Sequence, residues 1–226
     1  MRIDLLKTTP DRAGRYAVRF SDGSTQRLYR QTVEDFGLYT GKELTEEEME
    51  NLLKAAGQMS AKMRAVRIVS ASSVTKRDLE QRLIHKGEDP DQAKQAVEWM
   101  SDLDLLNDRE VAHQVVAKCV SRGYGPARAK QMLYEKQVPR EFWEEALAEY
   151  PDMEDSIVKF LRSKLGPDPD EKDKKRAIDA ALRRGHNYSQ IRRAMNSLEL
   201  DQEEFLEEYQ NGKYWFYFPG LCQEPG

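Results

Sequence analysis

The residues of this chain best suited to chemistry are cations set at helical spacing. Lys118 and Arg122 stand four apart, Tyr124 follows between two glycines, and Arg128 and Lys130 fall in the opening turns of the helix that Gly125-Pro126 starts. Ammonium and guanidinium groups beside an aromatic ring and the free N–H groups of a helix start suit a phosphate backbone. They suit a plain solvated helix face equally, and spacing alone does not choose. A second basic group comprises Lys172, Lys175, Arg176, Arg183 and Arg184, with Arg192 and Arg193 on the helix that follows. Lys172, Arg176 and Arg183 share a stripe at i, i+4 and i+11, which would meet phosphates or an acidic partner, or serve solubility alone.

Other chemistry finds no support in the residues. No Gly-rich loop precedes a Lys, H-E-x-x-H and G-x-S-x-G are absent, and His85, His113 and His186 are scattered, each read as a surface residue. The many Asp and Glu residues beside helix starts serve caps and the helix dipole. The reading is therefore a protein with no catalytic residue, metal ligand or cofactor, and not an enzyme. Cys119 and Cys222 are the only cysteines of the sequence, too few for a disulfide framework or a metal knuckle. Cys119 shares an apolar face with Val111, Val115 and Val116, as a buried, inert thiol would.

A net charge of −4 counts weakly against nucleic acid, but it is an average. Acidic residues bunch at Glu46 to Glu50, Glu144 to Glu149 and Asp201 to Glu208, leaving basic stripes elsewhere. With 39% hydrophobic against 34% charged residues, the core allowance is thin and suits an array with much surface. No apolar run is long enough to span a membrane, and Met1 to Leu6 lack the apolar stretch of a secretory signal. The expectation is a cytoplasmic monomer that does not engage a membrane.

The elements that must position these cations form an internal repeat. With Lys86, Lys136 and Arg184 as origins, Leu79, Ala129 and Ala177 stand seven upstream, and Leu83, Leu133 and Ala181 three upstream. Ala93, Trp143 and Ile191 stand seven downstream, Ala96, Ala146 and Ala194 ten, and Val97, Leu147 and Met195 eleven. All fifteen are apolar, and self-similarity at a spacing of roughly 50 residues marks stacked supersecondary units. The fold expected is mostly α: three tandem three-helix repeats in an elongated, curved array, with an N-terminal β-hairpin extension. Its segments are 1–44 (hairpin extension), 45–107 (linking helix and first repeat), 108–166 (second repeat), 167–210 (third repeat) and 211–226 (aromatic tail).

Local signals place the boundaries. Tyr16, Val18 and Phe20 alternate, Asp22-Gly23 supplies a turn, and Thr25 to Tyr29 offers the return strand. Thr45 with Glu48 is a capping box for a helix reaching about Ala71, with Gly57 a weak point. Thr75 with Asp78 opens a helix that stops at Gly87; Asp89-Pro90, Asn107 with Glu110, Gly125-Pro126 and Pro139 open the next four. The helix of Ile157, Phe160, Leu161 and Leu165 then reads as the last of the second repeat. Residues 166–173, GPDPDEKD, read as a long turn or hinge. Helix resumes near Glu171 and runs to Gly185, and Ser189 to Leu198 and Asp201 to Tyr209 complete the third unit. The run Tyr214 to Phe218 is either a strand docking on the hairpin or a segment that enters a partner.

Together these motifs resemble the RecX family of bacterial recombination regulators. The family pattern of a Ser or Thr followed by two leucines and Lys-Gly is similar to Thr75, Leu79, Leu83, Lys86 and Gly87. Its N-D-x-x-x-A helix leading to R-G-x-G-P and a later Leu is similar to Asn107, Asp108, Ala112, Arg122, Gly123, Gly125, Pro126 and Leu133. Its R-R-G-x-x-x-x-x-I-x-x-A/L is similar to Arg183, Arg184, Gly185, Ile191 and Ala194. The likeness runs from about Thr75 to Met195, and order and spacing carry it more than any one motif. The chain departs from the pattern at Gln137, where a Gly usually follows the Lys, so that helix must end without the αL residue that costs least. It departs also at His186, where Phe is common, and in the aromatic tail. The resemblance implies a mostly basic concave side, no catalysis, and binding in the groove of the RecA–DNA filament. It implies too that neighbouring protomers are bridged and that ATP hydrolysis, strand exchange and stimulated repressor cleavage are restrained. The partners expected are the RecA filament and single- or double-stranded DNA within it; the alternatives are a stand-alone trihelical DNA-binding module, and a helical scaffold for protein partners only.

Overall fold

The computed structural model describes residues 1–198, so the helix expected over Asp201 to Tyr209, the aromatic tail and Cys222 lie outside the described residues. The chain divides into two compact units, Met1–Asn107 and a second beginning at Asp108.

In the first unit, strands β1 (Ile3–Leu6), β2 (Arg15–Phe20) and β3 (Thr25–Tyr29) form an antiparallel sheet in the order β1-β2-β3. The hairpin of β2 and β3 turns at Asp22-Gly23, with Gly23 at φ 86. The expected hairpin thus gains a third strand, β1. Ile3 pairs with Phe20 and the register slips between Ile3 and Leu5, so only one of its four residues is buried and no alternation announces it. Helix α1 (Arg30–Asp35) leads to α2 (Glu46–Ala71), whose start is a complete capping box of Thr45 and Glu48.

Helix α2 serves two cores. Leu52 near its start packs with Ile3, Val18, Phe20 and Leu28 of the sheet. Ala61 and Ala65 further along pack with Leu79 and Leu83 of α3 (Lys76–His85) and with Ala93, Ala96, Val97 and Met100 of α4 (Pro90–Asp102). Gly57 does not break the helix, and the side-chain amide of Gln92 of α4 lies over it. Caps at Thr75, which accepts from the Asp78 N–H, and at Asp89, ahead of Pro90, fix the starts of α3 and α4.

The second unit holds α5 (Asp108–Ser121), α6 (Pro126–Glu135), a 3-10 turn at Arg140–Phe142 that runs into the short α7 (Trp143–Ala148), then α8 (Glu154–Arg162), α9 (Glu171–Arg183) and α10 (Tyr188–Asn196). Val111, Ala112, Val115 and Val116 of α5 pack with Leu133, Trp143 and Ala146 of α6 and α7. Ile157 and Leu161 of α8 pack with Ala177, Ile178 and Ala181 of α9 and with Ile191, Ala194 and Met195 of α10. The helix expected to close the second repeat therefore belongs to the third core. In every unit the extra helix precedes the registered pair: α2 before α3 and α4, α5 before α6 and α7, α8 before α9 and α10. The third core is thus already three helices deep within the described residues.

Fourteen of the fifteen registered apolar positions are buried, each large aliphatic among them contributing on the order of 2 kcal/mol. Leu147 alone is half-buried.

The end of α6 shows how that helix stops without a glycine. Gln137 itself takes the left-handed conformation, φ 55, that Gly87 and Gly185 take at φ 89 and 87 in the other two copies. Backbone geometry is kept and a residue with a Cβ carries the strain, about 1 kcal/mol. Gln137→Gly is expected to raise the unfolding free energy by about 1 kcal/mol, and Gly87→Ala to lower it by a similar amount; urea titration followed by circular dichroism measures both.

Candidate nucleic-acid and partner interface

The basic motif of the second repeat and that of the third meet in space. The Gly125 N–H donates to the Arg184 carbonyl at 2.8 Å, and the Ala127 N–H to the Gly185 carbonyl at 3.2 Å. Side chains have no room here. A Cβ on Gly125 would stand 2.1 Å from the Gly185 carbonyl oxygen, and one on Gly185, itself at φ 87, would stand 2.3 Å from the Arg128 nitrogen. The glycines of R-G-Y-G-P and R-R-G are therefore there for a backbone-to-backbone clasp between the two trihelical cores.

Arg184 reinforces the clasp. Its guanidinium donates to the carbonyls of Arg122 and, at 3.3 Å, Gly123, the two residues that follow α5. The same group lies 4.9 Å from the Tyr124 ring and 4.6 Å from the Phe160 ring. The Tyr150 hydroxyl donates to the Tyr124 carbonyl at 2.6 Å, and burial pushes its pKa far up, so it stays a neutral donor.

His186 is buried, contrary to its reading as a surface residue, with 3% of its surface exposed. Its Nε2 is 3.1 Å from the Gly123 carbonyl, so that nitrogen carries the proton and donates; Nδ1 is buried without a partner. Burial pushes its pKa below the usual histidine value, the bond to Gly123 opposes this, and the Arg184 charge adds to the lowering. His85 is exposed, and half-buried His113 places Nδ1 3.1 Å from Glu149.

The cations read from the sequence divide by what they touch. Arg122, Tyr124, Arg128 and Arg184 gather at the clasp. Lys118, Arg122 and Arg128 all lie near enough to the Cys119 thiol to pull its pKa down, while burial, the larger effect, raises it and leaves the thiol protonated and inert. Arg128 bonds Gln131 and stands 3.9 Å from Glu135. Arg176 lies 3.5 Å from Asp173, and Arg193 is 3.9 Å from Asp152 and 3.8 Å from Glu154. Lys175 is half-buried on α9. Lys118, Arg122, Lys130, Lys172, Arg183 and Arg192 are exposed and form no ion pair among the described residues. Lys130 stands apart from the clasp, beside Arg140 and Trp143. Sequence reasoning missed the parts played by Tyr150, Phe160 and His186. The two glycine motifs were visible, but nothing in either says that it faces the other.

Such an arrangement defines a tandem trihelical protein whose second and third cores are joined by a glycine clasp edged with arginine. Residues 107–147 match the family model described as RecX, second three-helix domain. The regulatory protein RecX of Chromohalobacter salexigens is 30% identical over 135 residues, covering 58% of this chain and 88% of that protein. That of Clostridioides difficile is 26% identical over 203 residues, covering 87% and 94%. A crystal structure of a regulatory protein RecX superposes with a TM-score of 0.61 at 17% identity, over 86% of this chain and 98% of that one, a likeness of fold. The chain belongs to the RecX family of regulatory proteins. No helix among the described residues is long and apolar enough to cross a membrane.

The clasp sets two expectations. Gly125→Ala is expected to destabilise the second unit by about 3 kcal/mol, the upper end of overpacking losses, because backbone rather than a movable side chain opposes the methyl; thermal denaturation reads it. For His186, both states are neutral well above its ordinary pKa of 6.5. Below that value the unfolded chain binds the proton first, so stability falls as pH falls through 6.5 until the lower folded pKa is reached. His186→Phe is expected to flatten this dependence, measured as denaturant midpoints between pH 7.5 and 5.

Proposed function

We propose that this protein is a negative regulator of the RecA recombinase, acting as a cytoplasmic monomer bound in the groove of the RecA–DNA filament. There it restrains ATP hydrolysis, strand exchange and stimulated repressor cleavage without catalysing a reaction itself. The observation that carries the reading is the set of exposed, unpaired cations around the clasp, with Lys118 and Arg122 on one side and Arg183 on the other. Lys172 on α9 and Arg192 on α10 extend the set within the same unit. Exposed cations free of carboxylate partners lose nothing internal on meeting phosphates, and each releases counterions from DNA. Arg184 is otherwise engaged and acts by holding the clasp that places them.

Contacts distributed over two cores also suit a filament better than one short site, because several weak contacts on one rigid body add as avidity. A stand-alone DNA-binding module would require affinity without the filament, and the net charge of −4 disfavours that.

Added protein at micromolar concentration is expected to inhibit the single-strand-dependent ATPase of RecA and its strand exchange; unimpaired activity would refute the proposal. Lys118→Glu combined with Arg122→Glu is expected to weaken filament binding and to reduce the slope of log affinity against log salt by about 0.7 to 0.9 for each phosphate that is no longer neutralised. Anisotropy titrations at several salt concentrations measure that slope, and an unchanged value would remove DNA from the binding surface.

A further inference from the structure

The second repeat bears another surface, away from the clasp. A groove of about 610 Å³ is lined by Lys130 of α6, Arg140 of the 3-10 turn, and Trp143, Glu144, Leu147 and Ala148 of α7. That volume is within the range of ligand clefts. Three features separate it from ordinary surface.

First, Leu147 occupies a position that is core in the other copies. Its equivalents Val97 and Met195 are 7% and 0% exposed, whereas Leu147 is only half-buried and opens into the groove. Second, Lys130 and Arg140 are exposed and form no ion pair among the described residues, although Glu144 lines the same groove. Third, Tyr134, one turn beyond Lys130 on the same face of α6, is 64% exposed. Exposed Tyr and Arg are among the residue types that dominate binding energy in protein interfaces.

We infer that this groove docks a short acidic–aliphatic peptide segment of a protein partner, its carboxylates on Lys130 and Arg140 and its aliphatic side chain against Leu147. Charge and geometry decide against a nucleic-acid strand. The Arg140 guanidinium lies 4.2 Å from the Trp143 ring and covers the face on which a base would stack. The turn and α7 also carry Glu141 and Glu144, which repel a strand with a charge at every phosphate. Glu145 of α7 is ion-paired with Arg109 of α5, so it is neutralised on that side and leaves Arg140 to an incoming acid. A peptide with one or two carboxylates beside a leucine meets both cations and fills the open core position. Trp143 itself is fixed by its indole N–H, which donates to the Val138 carbonyl at 3.0 Å, so the apolar wall is rigid before anything binds.

The test uses the full chain and no RecA, so its outcome is independent of the filament proposal. The probe is the fluorescein-labelled peptide Gly-Glu-Leu-Leu-Glu-Gly, with Gly-Gln-Leu-Leu-Gln-Gly and a labelled oligothymidylate of twenty nucleotides as comparators. Saturable binding of the acidic peptide is expected, weakened about tenfold by Lys130→Glu and by Arg140→Ala, the removal of one charge-assisted hydrogen bond each, and weaker still for the Gln peptide. Lys130 is solvent-exposed, so its variant keeps the test valid even where Arg140→Ala lowers the melting temperature. No saturable peptide binding, equal binding of the two peptides, or binding unmoved by both substitutions overturns the inference. So does loss of oligothymidylate binding in these variants with the peptide unaffected, which would assign the groove to nucleic acid.

Discussion

Everything distinctive in the second unit depends on two backbones meeting without side chains between them. Where Gly125 lies against Gly185, two hydrogen bonds join the start of α6 to the turn after α9, at a separation that any Cβ would prevent. Such a joint has little freedom. Side chains that pack against one another can change rotamer to absorb a displacement, whereas amide against amide fixes both distance and direction. The two trihelical cores are thereby held in one register, and the residues near the joint acquire their orientations from it. Arg184 can reach the two carbonyls that follow α5 because its own carbonyl is already bonded to Gly125. His186 is buried because it follows immediately, and its Nε2 finds Gly123 for the same reason.

The joint also explains why adjacent arginines play opposite parts. Arg183 is exposed, while Arg184 turns inward onto two carbonyls and two rings. Withdrawing a guanidinium partly from water is costly, and carbonyl acceptors at a helix C-terminus, where the dipole is negative, are among the few environments that offset the cost without a carboxylate. No acid is spent on Arg184, so the carboxylates nearby do not neutralise the surface around it. The cations left outward belong to a rim whose geometry is fixed by the inward one, which is how a chain that is acidic overall presents localised positive charge.

Local chemistry made much of this legible beforehand. The 3.6-residue period placed the apolar positions of the three helix pairs, and Thr45 with Glu48, Thr75 and Asp89 marked helix starts through bonds within four residues of sequence. Features that depend on distant partners were not legible. β1 has one buried residue and exists because Phe20 is there to pair with Ile3. Helix α8 is amphipathic whichever core it joins, so periodicity could not assign it to α9 and α10. Gln137 shows the converse: a residue with a Cβ, where glycine would cost less, still takes the left-handed conformation after α6. The basic residues of the candidate site were nameable from sequence, yet their sorting into Arg184 inside and Lys118, Arg122 and Arg183 outside is a product of the clasp.

The same joint accounts for the one place where the repeats differ in shape. Helix α4 continues five residues past Val97, whereas α7 and α10 each end one residue past Leu147 and Met195; α10 is followed by Leu198, which packs on its own core. Two constraints stop α7. Pro151 disfavours helical geometry at Tyr150, and the Tyr150 hydroxyl is committed to the Tyr124 carbonyl in the clasp loop. Tyr150 also packs on both the second and the third core, so it cannot be released to extend α7 without loosening the link between them. Leu147 is partly open where Tyr150, three residues on, is held at the joint instead of extending α7. One apolar register repeated three times therefore gives three similar interiors but not three similar surfaces, and the groove beside Lys130 and Arg140 follows from how the second core is fastened to the third.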